Sequence, residues 1–117
     1  MSVYLKPIVL VFSSEEAKYK ILSMGKESLG LLEISPVFNS SPHDLINHKL
    51  NNYLIDNIPT INKFKLIDVE IVDDIINIYY IVFIGYETKI QNSHLISIDL
   101  NNVQLTPTIK QTLSLLL

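Results

Sequence analysis

Hydrophobic residues first cluster at Ile8, Val9, Leu10, Val11 and Phe12, inside a segment from Val3 to Phe12. Successive side chains on a strand point to opposite faces, so a run of consecutive apolar positions predicts a strand covered on both sides. Ser13 to Glu16 reads as a polar turn, and Ala17 to Met24 as an imperfectly alternating second strand carrying Tyr19 and Ile21 between lysines. Gly25 to Gly30 forms a polar loop before Leu31 to Ile34 resumes extended structure.

The period then changes from two to 3.6. Ser41-Pro42-His43-Asp44 places a capping hydroxyl, a proline at the first helical position and an acid at the third. A helix starting there is expected to run to about Asp56, with Pro59 ending the element soon after. At 100° per residue Ile46, Leu50, Tyr53, Leu54 and Asn57 converge on one side, with Asp44, His48, Asn51 and Ile55 roughly opposite.

Strands follow. In Lys63 to Val72 the residues Phe64 and Leu66 share one parity and Val69 and Ile71 the other, so the inward parity flips near Ile67. A bulge there, or burial of both faces, accounts for such a flip. Asp73-Asp74 signals a turn, and Ile75 to Gly85 is apolar almost throughout except Asn77, as a central strand between helical layers requires. His94 to Ile98 reads as a short strand. Thr106-Pro107 repeats the cap-plus-proline start, and Ile109, Leu113, Leu116 and Leu117 supply the stripe of a terminal helix. The expected fold class is α/β (α+β), a mixed sheet sandwiched between helices.

Composition narrows the picture without deciding it. At 117 residues and 48% hydrophobic content, residues 1–117 are expected to form a single domain with one sizeable core. No apolar run approaches the roughly 18 to 20 residues that span a bilayer, and no secretory leader is apparent, so a cytoplasmic location is expected. The chain has no cysteine, which removes thiolate chemistry. Its net charge is -3, and all nine basic residues are lysines. Arginine is the side chain that reads phosphates and guanine edges with paired hydrogen bonds, so its absence disfavours duplex nucleic acid as a partner. An Ile-, Asn- and Lys-rich composition is also what an AT-rich genome produces, and a bacteriophage or low-GC bacterium fits it.

The order of elements, together with the prolyl helix start and the apolar pair Leu50 and Leu54, resembles the Nudix hydrolases across nearly the whole chain. Aligning Ser41-Pro42 with the family's usual Ser-Pro fixes a register. The family's first glycine then falls on Ile34, its lone glutamate on Ser40, and its Arg-Glu on His48 and Lys49. Its glutamate pair falls on Asn52 and Tyr53, and its closing glycine on Ile55. Only the hydrophobic skeleton of the signature survives, and no shift of register restores it, since residues 44–56 contain no glutamate.

The resemblance implies that helix glutamates would hold divalent cations, which neutralise a pyrophosphate and activate water. The same helix side here offers Lys49, Asn52, Tyr53 and Asp56. One carboxylate does not replace several, and an ammonium at Lys49 would repel the cation by about 4 kcal/mol at about 4 Å with an effective dielectric near 20. No catalytic residue, resident metal or cofactor is therefore expected.

Each other candidate has a plainer competitor. His48 and Asp44, one turn apart, could share a metal, but two solvated polar residues on a helix face is the preferred reading. His94 could act as a base, yet a histidine opening a strand is more often surface. Asp68, Glu70, Asp73, Asp74 and Glu87 could rebuild a metal site from the strand side; a solvated strand face with a hairpin turn is the simpler account. Lys49 could contact an anion where a metal once stood, against a lysine that merely flanks a buried stripe. Tyr79, Tyr80, Phe83 and Tyr86 lack interleaved basic residues and read as core.

The leading expectation is a catalytically inactive Nudix-like domain acting as a structural or protein-interaction module, phage-encoded and part of a larger assembly, with a protein partner or self-association. The alternatives are a sensor that binds a nucleotide or phosphate ligand without hydrolysis, and a divergent metal-dependent pyrophosphohydrolase. The face to examine first is Lys49, Asn52, Tyr53 and Asp56.

Overall fold

Two strands rich in consecutive apolar residues, β1 (Ser2–Ser13) and β4 (Ile75–Ile84), lie side by side and parallel near the middle of a sheet. The computed structural model describes residues 1–13, 17–23, 30–51, 61–84, 94–96 and 105–116. Around the central pair stand β2 (Lys18–Ser23), β3 (Ile61–Val72) and β5 (His94–Ile96), giving a five-stranded mixed sheet in the order β3-β4-β1-β2-β5. Every neighbouring pair except β1 with β4 is antiparallel.

The consecutive apolar run of β1 serves both faces, as its pattern required. Leu5, Val9 and Val11 join Leu22, Ile34, Tyr80, Val82 and Ile84 in a core beneath helix α1 (Pro42–Leu50), which contributes Ile46 and Leu50. Ile8 and Leu10 point the other way, to Ile21, Tyr79, Ile81 and the buried Ile109 and Leu113 of helix α2 (Pro107–Ser114). The architecture is thus α+β, with α1 on one face of the sheet and α2 on the other.

Pro7 sits in a central strand, where a missing N–H normally breaks a ladder. Leu5 exchanges both backbone hydrogen bonds with Ile34, at 2.8 and 3.0 Å. Pro7, two residues on, turns its nitrogen to the same side, away from β4, and β2 joins β1 only from Leu10 onward. The proline therefore removes no hydrogen bond between β1 and β4.

The parity flip in β3 is a bulge. The register with β4 shifts between Leu66 and Asp68, so Ile67 is the extra residue and turns to the α2 face. A second irregularity lies between Ile61 and Lys63. The Asp73-Asp74 turn closes the β3–β4 hairpin, with Asp73 at φ 54°, a left-handed conformation that aspartate tolerates better than most residues.

One expectation needs correction. The extended segment Leu31 to Ile34 contributes one isolated antiparallel bridge, Leu5 with Ile34, because Ile34 alone docks on β1. Helix α1 is described from Pro42 to Leu50 with Asn51 as its C-cap, and the expected continuation to Asp56 lies outside the described residues. Among the described residues no helix is long and apolar enough to cross a membrane.

Candidate functional site

Helix α1 is where the resemblance would put a metal-binding signature, and its local construction follows the sequence. Ser41 is the N-cap, its hydroxyl accepting from the Asp44 N–H at 3.1 Å, and Pro42 occupies the first turn. Asp44 faces the positive end of the helix dipole and His48 and Lys49 the negative end, an arrangement that favours the helix. Ile46 and Leu50 are fully buried and hold the helix to the sheet.

An aromatic stack fixes the helix start. The His43 ring meets Phe64 of β3 edge to face, centroids 5.4 Å apart, and Phe64 stacks on Tyr80 of β4 at 4.8 Å. No sequence signal announced this contact, since it joins residues far apart in the chain. Burial pushes the Tyr80 phenol above its ordinary pKa.

Of the four residues singled out on this face, only Lys49 lies among the described residues; Asn52, Tyr53 and Asp56 lie outside them. Lys49 is half-buried, next to the buried Leu50. Asp44 and His48 are exposed, and the near neighbour of the Asp44 carboxylate is His43, with Nδ1 to Oδ1 at 3.6 Å. His48 does not join it. The family's divalent cation requires several hard carboxylate oxygens, whereas the described part of α1 supplies one exposed aspartate, two histidines and an ammonium. These residues do not fit such an ion.

The strand acids also have other occupations. Asp68 and Glu70 pair with Tyr79 and Asn77 on the α2 side of the sheet, the face opposite α1. The Thr106 hydroxyl, N-cap of α2, donates to Asp68 Oδ2 while accepting from the Ile109 N–H at 3.3 Å. Asp68 Oδ1 accepts from the Val69 N–H at 2.9 Å. Glu70 Oε1 accepts from Asn77 Nδ2 and from the Tyr79 hydroxyl, each at 3.2 Å. This explains the one polar residue inside β4: Asn77 is buried and shares Glu70 with a tyrosine. Burial, then the Glu70 and Asp68 charges, push the Tyr79 pKa up to about 12. Asp73 and Asp74 are exposed in the turn, where the Asp74 carbonyl accepts from the Ser2 N–H at 2.8 Å. Among the described residues no group of three or more metal-ligating side chains forms. Glu87, Tyr86 and the side chain of His94 lie outside what is described.

Of the other aromatics assigned to the core, Tyr79 and Tyr80 are buried and Phe83 is half-buried against Tyr19, centroids 5.3 Å apart. The chain superposes on a MutT/nudix family protein from Enterococcus faecalis with a TM-score of 0.60 and 16% identity, over 80% of this chain and 42% of that one. The fold is Nudix-like. This chain thus spans less than half the length of that neighbour. No family model and no curated protein matches the sequence.

Proposed function

We propose that residues 1–117 form a single Nudix-like domain that has kept the fold's framework without its chemistry and serves as a structural or protein-interaction module. The observation that carries this reading is the contrast within α1. Its cap, its prolyl start and its buried Ile46 and Leu50 are intact. The positions at which the family's Arg-Glu would fall hold His48 and Lys49, and those of its glutamate pair hold Asn52 and Tyr53. The acids that could have replaced them, Asp68 and Glu70, sit on the opposite face, engaged with Thr106, Asn77 and Tyr79.

Selection that had merely lapsed would leave no reason to keep a buried stripe and two capped helices; a module that must fold to present a surface has one. The Asn-, Ile- and Lys-rich composition supports a phage or low-GC bacterial source, and the absence of cysteine suits a cytoplasmic setting. The test is a hydrolysis assay with magnesium or manganese across nucleoside diphosphates linked to sugars, nucleosides and phosphates. No turnover is expected, and metal-dependent release of a nucleotide that survives repurification would overturn the reading. The same panel in a thermal-shift format separates a ligand sensor: a nucleotide at 100 times its dissociation constant would stabilise the fold by about 2.7 kcal/mol.

A further inference from the structure

A row of exposed apolar side chains lies on β3, an edge strand of the sheet. Leu66, Val69 and Ile71, paired in register with Tyr80, Ile78 and Ile76, are 51%, 49% and 67% exposed on the α1 face. Helix α1 has 9 residues and is about 14 Å long at 1.5 Å per residue, while β3 has 12 and reaches about 40 Å at 3.3 Å per residue. The start of α1 meets β3 at Phe64 through His43, and no described strand pairs with the outer edge of β3.

The charges of β3 are ordered on its other face. Lys63 and Lys65 precede the bulge, and Asp68 and Glu70 follow it. By simple alternation odd and even positions would face opposite ways. The extra residue Ile67 resets the phase, so all four side chains share the α2 face, opposite Phe83, Ile81, Tyr79 and Asn77 of β4. Among the described residues none of the four holds an ion pair; Lys63 Nζ lies 5.9 Å from the Phe83 ring centroid, and the two acids accept only uncharged donors.

The pattern is palindromic about the bulge. We propose that the outer edge of β3 is a self-association surface that pairs antiparallel with β3 of a second copy across a two-fold axis at Leu66-Ile67. In that register Lys65 faces the partner's Asp68 and Lys63 the partner's Glu70, twice over by symmetry. On the other face Phe64 meets the partner's Val69, and Leu66 meets the partner's Leu66. A parallel arrangement in the same register would set lysine against lysine and acid against acid. An arbitrary extended peptide has no reason to match the order two bases, bulge, two acids; this chain matches itself. Lysines and bulges also guard sheet edges against indiscriminate pairing, and a monomer in solution is what that simpler account expects.

The proposal deepens the interaction-module reading, on which it rests, by naming a second copy as a partner. Sedimentation of the full chain over a range of concentrations should show a concentration-dependent dimer that weakens as salt is raised. K63E/K65E makes the edge wholly acidic and D68K/E70K wholly basic; each alone should lose the dimer, with its dissociation constant rising by about tenfold or more, and their mixture should recover it. Because Asp68 and Glu70 also anchor Thr106 and Tyr79, L66K serves as the second break if the basic variant fails to fold, and it should also give a monomer. A wild-type monomer at all concentrations, or a dimer indifferent to K63E/K65E and to L66K, would overturn the edge assignment while leaving the absence of catalysis untouched. Magnesium-dependent turnover would strike the module reading instead, whatever the oligomeric state.

Discussion

The two described helices begin with the same grammar, Ser41-Pro42 and Thr106-Pro107, and end in different relations to the sheet. Helix α1 holds its face through apolar contacts: Ile46, Leu50, and an aromatic stack from His43 through Phe64 to Tyr80. Helix α2 adds a polar anchor, its cap hydroxyl donating to Asp68, beside the Glu70, Asn77 and Tyr79 cluster. In the family that the fold resembles, the α1 side would carry the acids. Here the strand carboxylates Asp68 and Glu70 serve the α2 side as structural acceptors, while the described part of α1 packs through Ile46 and Leu50.

The comparison breaks most readily in the core. Leu50→Ala and Leu113→Ala each empty a fully buried site, one under each helix, and each should cost about 2 to 5 kcal/mol by denaturant titration. A cost below about 1 kcal/mol for Leu50→Ala alone would mean that α1 is loosely held and that its framework is not retained as described. The caps test the polar difference at smaller scale. Thr106→Ala removes both the Ile109 cap and the Asp68 contact and should cost about 1 to 3 kcal/mol, whereas Ser41→Ala removes one exposed cap and should cost about 0.5 to 1. Equal costs would remove the asymmetry between the faces.

Alkaline titration sharpens the same point. The folded-state pKa of Tyr79, about 12, lies above the ordinary value of 10.0, so the folded protein holds that proton more tightly than the unfolded chain. Its contribution to stability is fully present below pH 10 and is lost as pH rises toward 12. Stability should fall across that window, and tyrosinate absorbance should show the Tyr79 phenol titrating late, beside Tyr80, which burial also raises. Glu70→Gln should bring that titration down only part of the way, because burial is the larger cause and the charge the second. A full return to the ordinary value would assign the shift to the carboxylate. The smallest effect belongs to Lys49→Ala, within about 0.5 kcal/mol of wild type if the side chain merely flanks the stripe.

Much of the fold was legible because periodicity reports burial directly. The consecutive run in β1, the nearly unbroken apolar β4 and the stripe of α1 required cover on the faces where cover is found, and the parity change at Ile67 announced its bulge. The single bridge at Ile34 was less legible, since extended backbone does not say whether a partner strand lies alongside. Of the candidate face only Lys49 can be placed, beside its stripe; Asn52, Tyr53 and Asp56 lie beyond the described residues.

What the sequence determined by itself is local and subtractive. Caps, strand phases and the missing glutamates of residues 44–56 are properties of neighbouring residues, and no tertiary arrangement could restore a carboxylate that the helix does not encode. What only the tertiary structure decided is which partners distant residues meet. Asp68 and Glu70 could have served a metal or a framework, and the choice lay with the pairing that set them beside Tyr79, Asn77 and the start of α2. The exposure of Leu66, Val69 and Ile71 is likewise invisible in the pattern of β3, because it depends on what packs over that face of the sheet.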